Sequence, residues 1–110
     1  MFPIVHAVGD LGISAITLAE LEYGVSKSSK PAKNQEALDQ FAAPLDVAAF
    51  DRSATAACGK LRATLEKRGP SIGAMDLLIA AQALALNVRL VTHNVREFGR
   101  VPGLRVEMWE

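Results

Sequence analysis

Apolar residues recur along this chain at two spacings, and the change from one to the other marks out its elements. After a strand-like run from Leu11 to Ser14, residues Ile16, Leu18, Ala19 and Leu21 fall at helical intervals, so a helix is expected from Ala15 to about Val25. Ser26 to Asn34 mixes Ser, Lys and Pro31 and reads as a solvated loop. Gln35 to Ala43 follows as a short helix with Leu38 and Phe41 turned inward, ended by Pro44. Val47 to Phe50 predicts a short strand, and Asp51 is a good N-cap for a long helix through about Lys67, stopped by Gly69 and Pro70. On that helix Ala54, Ala57, Cys58, Leu61 and Leu65 share one face, while Arg52, Lys60, Lys67 and Arg68 point to water.

Gly73 opens a further helix through Leu86 that is apolar nearly all round and therefore needs cover on several sides. Asn87 suits its C-terminal end. Val88 to Thr92 is the unbroken β-branched and Leu-rich run of a strand buried on both faces of a parallel sheet. Leu104 to Trp109 alternates apolar residues with Arg and Glu, as an edge strand does. Helices interleaved with short strands predict an α/β sandwich, a single domain across residues 1–110 with no internal repeat.

Composition narrows the function. Half the residues are hydrophobic and 22% charged, which excludes a disordered tail. Twelve Lys and Arg balance twelve Asp and Glu, so any attraction to nucleic acid has to come from local patches rather than bulk charge. The lone cysteine, Cys58, excludes an intrachain disulfide and a cysteine zinc cluster, and fits a reducing compartment. Met1 to Asp10 holds no Lys or Arg, and the longest apolar stretch, Leu77 to Leu86, falls well short of the ~20 residues that span a bilayer. A cytoplasmic protein without membrane contact is expected.

Several polar residues could carry chemistry. Thr17 and Glu20 are spaced as a capping box, which alone would explain both. Asp76 sits among residues that favour burial; it is either a first-turn acid welcomed by the helix dipole or a ligand for a hard cation, and both can hold at once. Thr92, His93, Asn94 and Glu97 follow the buried strand, and in open parallel sheets the ligand crevice lies beyond the C-terminal ends of strands. Four arginines against one acid between Arg89 and Arg105 could hold phosphates or form a solvated edge. Cys58, Ser14, His6 and His93 are the candidate nucleophiles, and none lies in a nucleophile motif.

Four linked motifs carry a resemblance: Ile13-Ser-Ala-Ile-Thr17-Leu-Ala-Glu20-Leu-Glu-Tyr-Gly24, Ile72-Gly-Ala-Met-Asp76-Leu-Leu-Ile-Ala-Ala81, Leu90-Val-Thr92-His-Asn94-Val-Arg-Glu97-Phe98 and Val101-Pro-Gly-Leu104. From about Gly12 to the C-terminus the chain resembles the PIN-domain ribonucleases, specifically the VapC-type toxins of bacterial toxin–antitoxin pairs. The resemblance implies a three-layer α/β/α sandwich with a short, mostly parallel sheet. It implies a hydrolase whose clustered acids bind Mg²⁺ or Mn²⁺ and activate water to cut RNA, often tRNA, with a VapB-type antitoxin blocking the site and a homodimer as the assembly. Glu20 falls on the family's helix acid, Asp76 on its central metal-binding aspartate, Asn94 on the Asp or Asn after the last buried strand, and Glu97 on a nearby acid; Thr17 and Thr92 match the accompanying threonines. Glu20 and Asp76 are thus the implied metal ligands.

One departure stands out. The family's central first strand, which ends in Asp, has no counterpart, and Asp10 does not replace that acid; the chain looks N-terminally truncated. The strands flanking the gap are then expected to lack partners for their backbone groups. This leaves an alternative to the nuclease: a non-catalytic relative that binds antitoxin.

Overall fold

The computed structural model describes residues 4–7, 10–92 and 94–108, with side chains from residue 12 onward. Among these residues lie strands β1 (Ile4–Ala7), β2 (Asp10–Ser14), β3 (Asp46–Ala48), β4 (Arg89–Thr92) and β5 (Val106–Met108). The helices are α1 (Ala15–Lys27), α2 (Pro31–Ala42), α3 (Arg52–Arg68), α4 (Ala74–Leu86) and α5 (Val95–Phe98). Expectations placed on His93 and Trp109, and on the side chains of His6 and Asp10, fall outside the described residues.

The strands form one sheet in the order β3-β2-β1-β4-β5. β2 pairs parallel with β3, Ile13 opposite Val47, and β4 pairs parallel with β5, Val91 opposite Glu107. Between these pairs β1 runs antiparallel to both neighbours, Val5 facing Gly12 on one side and Leu90 on the other. Two expectations are corrected here. β2 and β4 do not lack partners, because Ile4–Ala7 fills the position between them; and β4 is parallel on one side only. Four strands share one direction and the central one opposes them. β2 and β4 therefore both finish, at Ser14 and Thr92, at the end of the sheet where β1 begins. Asp10, at the start of β2, lies at the opposite end.

Local chemistry explains the helix ends. Asp51 caps α3 as expected, its carboxylate accepting the Ala54 N–H at 3.0 Å. Ser14 caps α1, its Oγ accepting the Ile16 N–H at 3.0 Å. That role, with full burial, accounts for a serine considered as a nucleophile. The capping box of Thr17 and Glu20 does not form, because α1 starts a turn earlier than that box requires. The loop expected over Ser26 to Asn34 shrinks to residues 28–30, since Pro31 starts α2 instead of breaking a helix; at the first helical position its missing N–H costs nothing. On α2 Leu38 is buried, but Phe41 turns outward with 40% of its surface exposed.

α3 and α4 pack on each other over the sheet, joining Leu61 and Leu65 to Leu77, Ile79, Ala80, Ala81 and Ala83, with Leu90, Phe98 and Val101 beneath. The small residues of α4 let its neighbours approach on several sides, as its all-round apolar pattern requires. Asn87, left-handed at φ 57°, closes the helix.

One polar side chain is buried within α4. Gln82 donates through Nε2 to the carbonyls of Ala48 and Ala49 at 2.6 and 2.8 Å, fastening α4 to the end of β3. Its Oε1 has no partner among the described residues. Gln82→Leu keeps the volume but strands the part-buried Ala48 carbonyl, a loss of about 1–3 kcal/mol that removal of the unpaired oxygen offsets in part. The urea midpoint is expected to fall with an unchanged m value; a midpoint that rises would show that the amide is not a fastening.

Candidate active site

The shared C-terminal end of β2 and β4 is where candidate acids gather. Asp76 is the third residue of α4, in its first turn, where free backbone N–H groups and the helix dipole favour an anion. The N-cap, Gly73, has no side chain to compete, and a Cβ there would stand 3.7 Å from Asp76 Oδ2. From the other side, β4 ends at buried Thr92, whose Oγ1 accepts the Asn94 N–H at 3.0 Å and sets the start of α5. Phe98, 1% exposed, anchors that short helix in the core. Glu97, half-buried beside it, is held close enough to Asp76 to repel it. Burial, and after it the charge of Glu97, push the Asp76 carboxyl above its ordinary range.

That shift has a sign for stability. The folded protein holds the Asp76 proton more tightly than the unfolded chain does, so the contribution of the protonated form is fully present below the ordinary value of 3.8 and is lost as pH rises through the raised value. Asp76→Asn removes this loss. Its melting temperature, relative to wild type in metal-free buffer, is expected to climb between acid and neutral pH; a constant difference would refute the assignment.

Glu20 lies on the solvent side of α1 and borders a groove between α1 and α4 of about 380 Å³, lined by Ile16, Ala19, Glu20, Tyr23, Met75 and Leu78. Among the described residues no three His, Cys, Asp or Glu side chains come together at metal-binding spacing; Glu97 is near enough to Asp76 to act on its charge, and Glu20 stands in the groove between α1 and α4. Asn94 is exposed at the start of α5, its side chain making no capping bond. Thr17 is buried with Oγ1 unpartnered among the described residues. Cys58 is a free thiol packed against the core.

Most of the arginine stretch is committed to the protein itself. Arg89 pairs with Glu107 at 3.1 Å, Arg105 donates to the Asn87 carbonyl at 2.9 Å and Arg100 donates to the Pro70 carbonyl. Arg96, exposed on α5 next to Glu97, has no hydrogen bond or ion pair among the described residues. The groove was not legible in the sequence, although its α1 wall, Ile16, Ala19, Glu20 and Tyr23, follows the i, i+3, i+4, i+7 spacing of one helical face.

Half-buried Asp76 and Glu97 thus stand together beyond the C-terminal end of β4, the part of an α/β sheet where ligands commonly bind. Residues 3–104 match the PIN domain, and the chain belongs to that family. Among its relatives, Ribonuclease VapC2 of Rickettsia felis is 49% identical over 100 residues, 91% of this chain and 75% of that protein. The tRNA(fMet)-specific endonuclease VapC of Shigella flexneri is 41% identical over 101 residues, 92% of this chain and 76% of that one. The fold is also similar to that of a chain in the structure of VapBC2 from Rickettsia felis bound to a DNA fragment from its promoter, with a TM-score of 0.89 and 48% identity over 92% of this chain and 76% of that one. VapBC-1 from nontypeable Haemophilus influenzae follows with a TM-score of 0.86 and 37% identity, covering 91% of this chain and 75% of that one. No helix among the described residues is long and apolar enough to cross a membrane.

Proposed function

We propose that this protein is a divalent-metal-dependent endoribonuclease of the VapC kind, cutting tRNA and held in check by a VapB-type antitoxin. The observation that carries the reading is the Asp76–Glu97 pair at the end of the sheet, together with relatives named as ribonucleases and a tRNA(fMet)-specific endonuclease. Two half-buried carboxylates that repel each other fit a hard cation, Mg²⁺ or Mn²⁺, which prefers oxygen ligands. Such a cation, when bound, supplies Lewis acidity and a water acidic enough to attack phosphorus near neutral pH. Asp76 and Glu97 would hold it, with Asn94 offering a carbonyl oxygen and Glu20 a further carboxylate from the groove. Thr92 acts on Asn94 by fixing its backbone. Arg96, exposed beside Glu97, offers a cation to substrate phosphate.

Partnership with an antitoxin is supported by the solved neighbours, which are toxin–antitoxin complexes. A second reading, a relative that binds antitoxin without cutting RNA, is favoured by the direction of β1, whose C-terminal end points away from Asp76 and Glu97. The two separate in one assay: tRNA is incubated with the protein with and without Mg²⁺, and Asp76→Ala serves as the blank for contaminating nuclease. Mg²⁺-dependent cleavage lost in the blank is the expected result. No cleavage alongside tight antitoxin binding would leave the second reading standing.

A further inference from the structure

We propose that the groove between α1 and α4 seats one unpaired nucleobase of the RNA substrate, with Tyr23 as the stacking platform and Lys27 as the contact to an adjoining phosphate. The inference rests on the endoribonuclease reading and adds to it how the substrate is gripped. Ile16, Ala19, Glu20 and Tyr23 form one stripe of α1, and Met75 and Leu78 face them from α4, so the groove is an apolar slot with a single carboxylate in its wall. Its volume, about 380 Å³, falls at the small end of the ~300–1,000 Å³ typical of small-molecule sites. That suits one nucleotide and is too small for a duplex.

Two large side chains at its rim are open to solvent, Tyr23 at 66% and Met75 at 51%. The Lys27 ammonium stands 5.7 Å from the centre of the Tyr23 ring, one turn further along the helix. It braces one face of the ring by a cation–π contact and brings a positive charge to the mouth of the slot. An aromatic plane, an apolar floor and a cation at the rim complement a nucleotide, which has a flat π-face and an anionic phosphate. The position is also right. Met75 is bonded to Asp76, and Glu20 lies about 4.5 Å before Tyr23 along the helix axis, so a base held here keeps its sugar-phosphate backbone beside the acids. A second hollow, between α3, Leu84 and Pro102, has a cation in Lys60 but neither an aromatic ring nor an acid in its lining, and does not share this complementarity.

The test compares wild type, Tyr23→Ala and Tyr23→Trp on tRNA, and on a stem-loop RNA made with a normal or an abasic nucleotide at one unpaired position. Tyr23→Ala is expected to raise KM for RNA about 5- to 150-fold with little change in kcat, the range that loss of one base–aromatic stack brings. Tyr23→Trp should restore KM. The abasic RNA should bind wild type more weakly by the same factor and Tyr23→Ala no more weakly, since the two changes remove one contact. Binding is read by anisotropy in metal-free buffer, so it reports even when no cleavage occurs. Absence of cleavage by wild type counts against the endoribonuclease. Cleavage and RNA binding that are equal in wild type and Tyr23→Ala overturn the base seat alone, as would a Tyr23→Ala effect confined to binding of an antitoxin peptide.

Discussion

Asp76→Asn is expected to lower Mn²⁺ affinity at least about tenfold to a hundredfold, and Mg²⁺-dependent RNA cleavage by a comparable factor or more, while leaving the protein folded. Losses of that size follow removal of groups that merely support a metal ligand, so they set a floor for a ligand itself. The substitution keeps the shape and polarity of the side chain and removes its charge. In the metal-free protein that charge is a burden, because burial and Glu97 both oppose it. The variant therefore gains stability near neutral pH as it loses function, opposite signs that a general structural defect does not produce. Titration calorimetry with Mn²⁺ measures the first effect and thermal melting the second. Equal Mn²⁺ affinity in the two proteins would remove Asp76 from the site.

Phe98→Ala is expected to cost about 3–5 kcal/mol, the usual range for deleting a buried aromatic side chain. Against the roughly 5–16 kcal/mol that a domain of this size holds, this is about a fifth of its stability at the least, and the melting temperature should fall on the order of 15 °C. Phe98 is 1% exposed and lies in the same cluster as Leu77, Ile79 and Val101. It is also the last residue of α5, so its packing helps fix the position of Glu97, its chain neighbour, whose charge acts on Asp76. The cavity should loosen α5 and relieve the repulsion on Asp76. Phe98→Leu, which refills most of the space, should recover the greater part of both effects. A variant that melted within a few degrees of wild type would show that the short helix is held by something other than its core contact.

What the sequence disclosed depended on how local each signal was. α3 was legible because its cap, Asp51, and its apolar face, Ala54, Leu61 and Leu65, all lie within one continuous segment. β4 was legible from its unbroken apolar run. β1 was not, because a strand of four residues is specified by the two strands that accept it, and those lie five and eighty-odd positions away in the chain. Phe41 was misjudged because helical spacing says which residues share a face, whereas tertiary contacts decide how far that face reaches. Thr17 and Glu20 satisfied the spacing of a cap, but Ser14 had the same chemistry one turn earlier. Among the site residues, Asp76 was conspicuous for its apolar setting. Its pairing with Glu97 could not be read, because it depends on how α5 folds back after β4, and neither could the groove, which needs two helices far apart in sequence.

The reversed central strand also determines how the sheet breathes. β2 and β4 are not neighbours, so each parallel pair is joined to the other through the backbone of Ile4–Ala7. Amides of β2 and β4 that donate toward β1 exchange with solvent only when this one segment opens, and so share a single opening free energy although nearly eighty residues separate them. Amides donating toward β3 and β5 belong to separate openings. Deuterium uptake along β2 and β4 therefore carries two clocks interleaved on alternate residues, one common to both strands and one private to each edge.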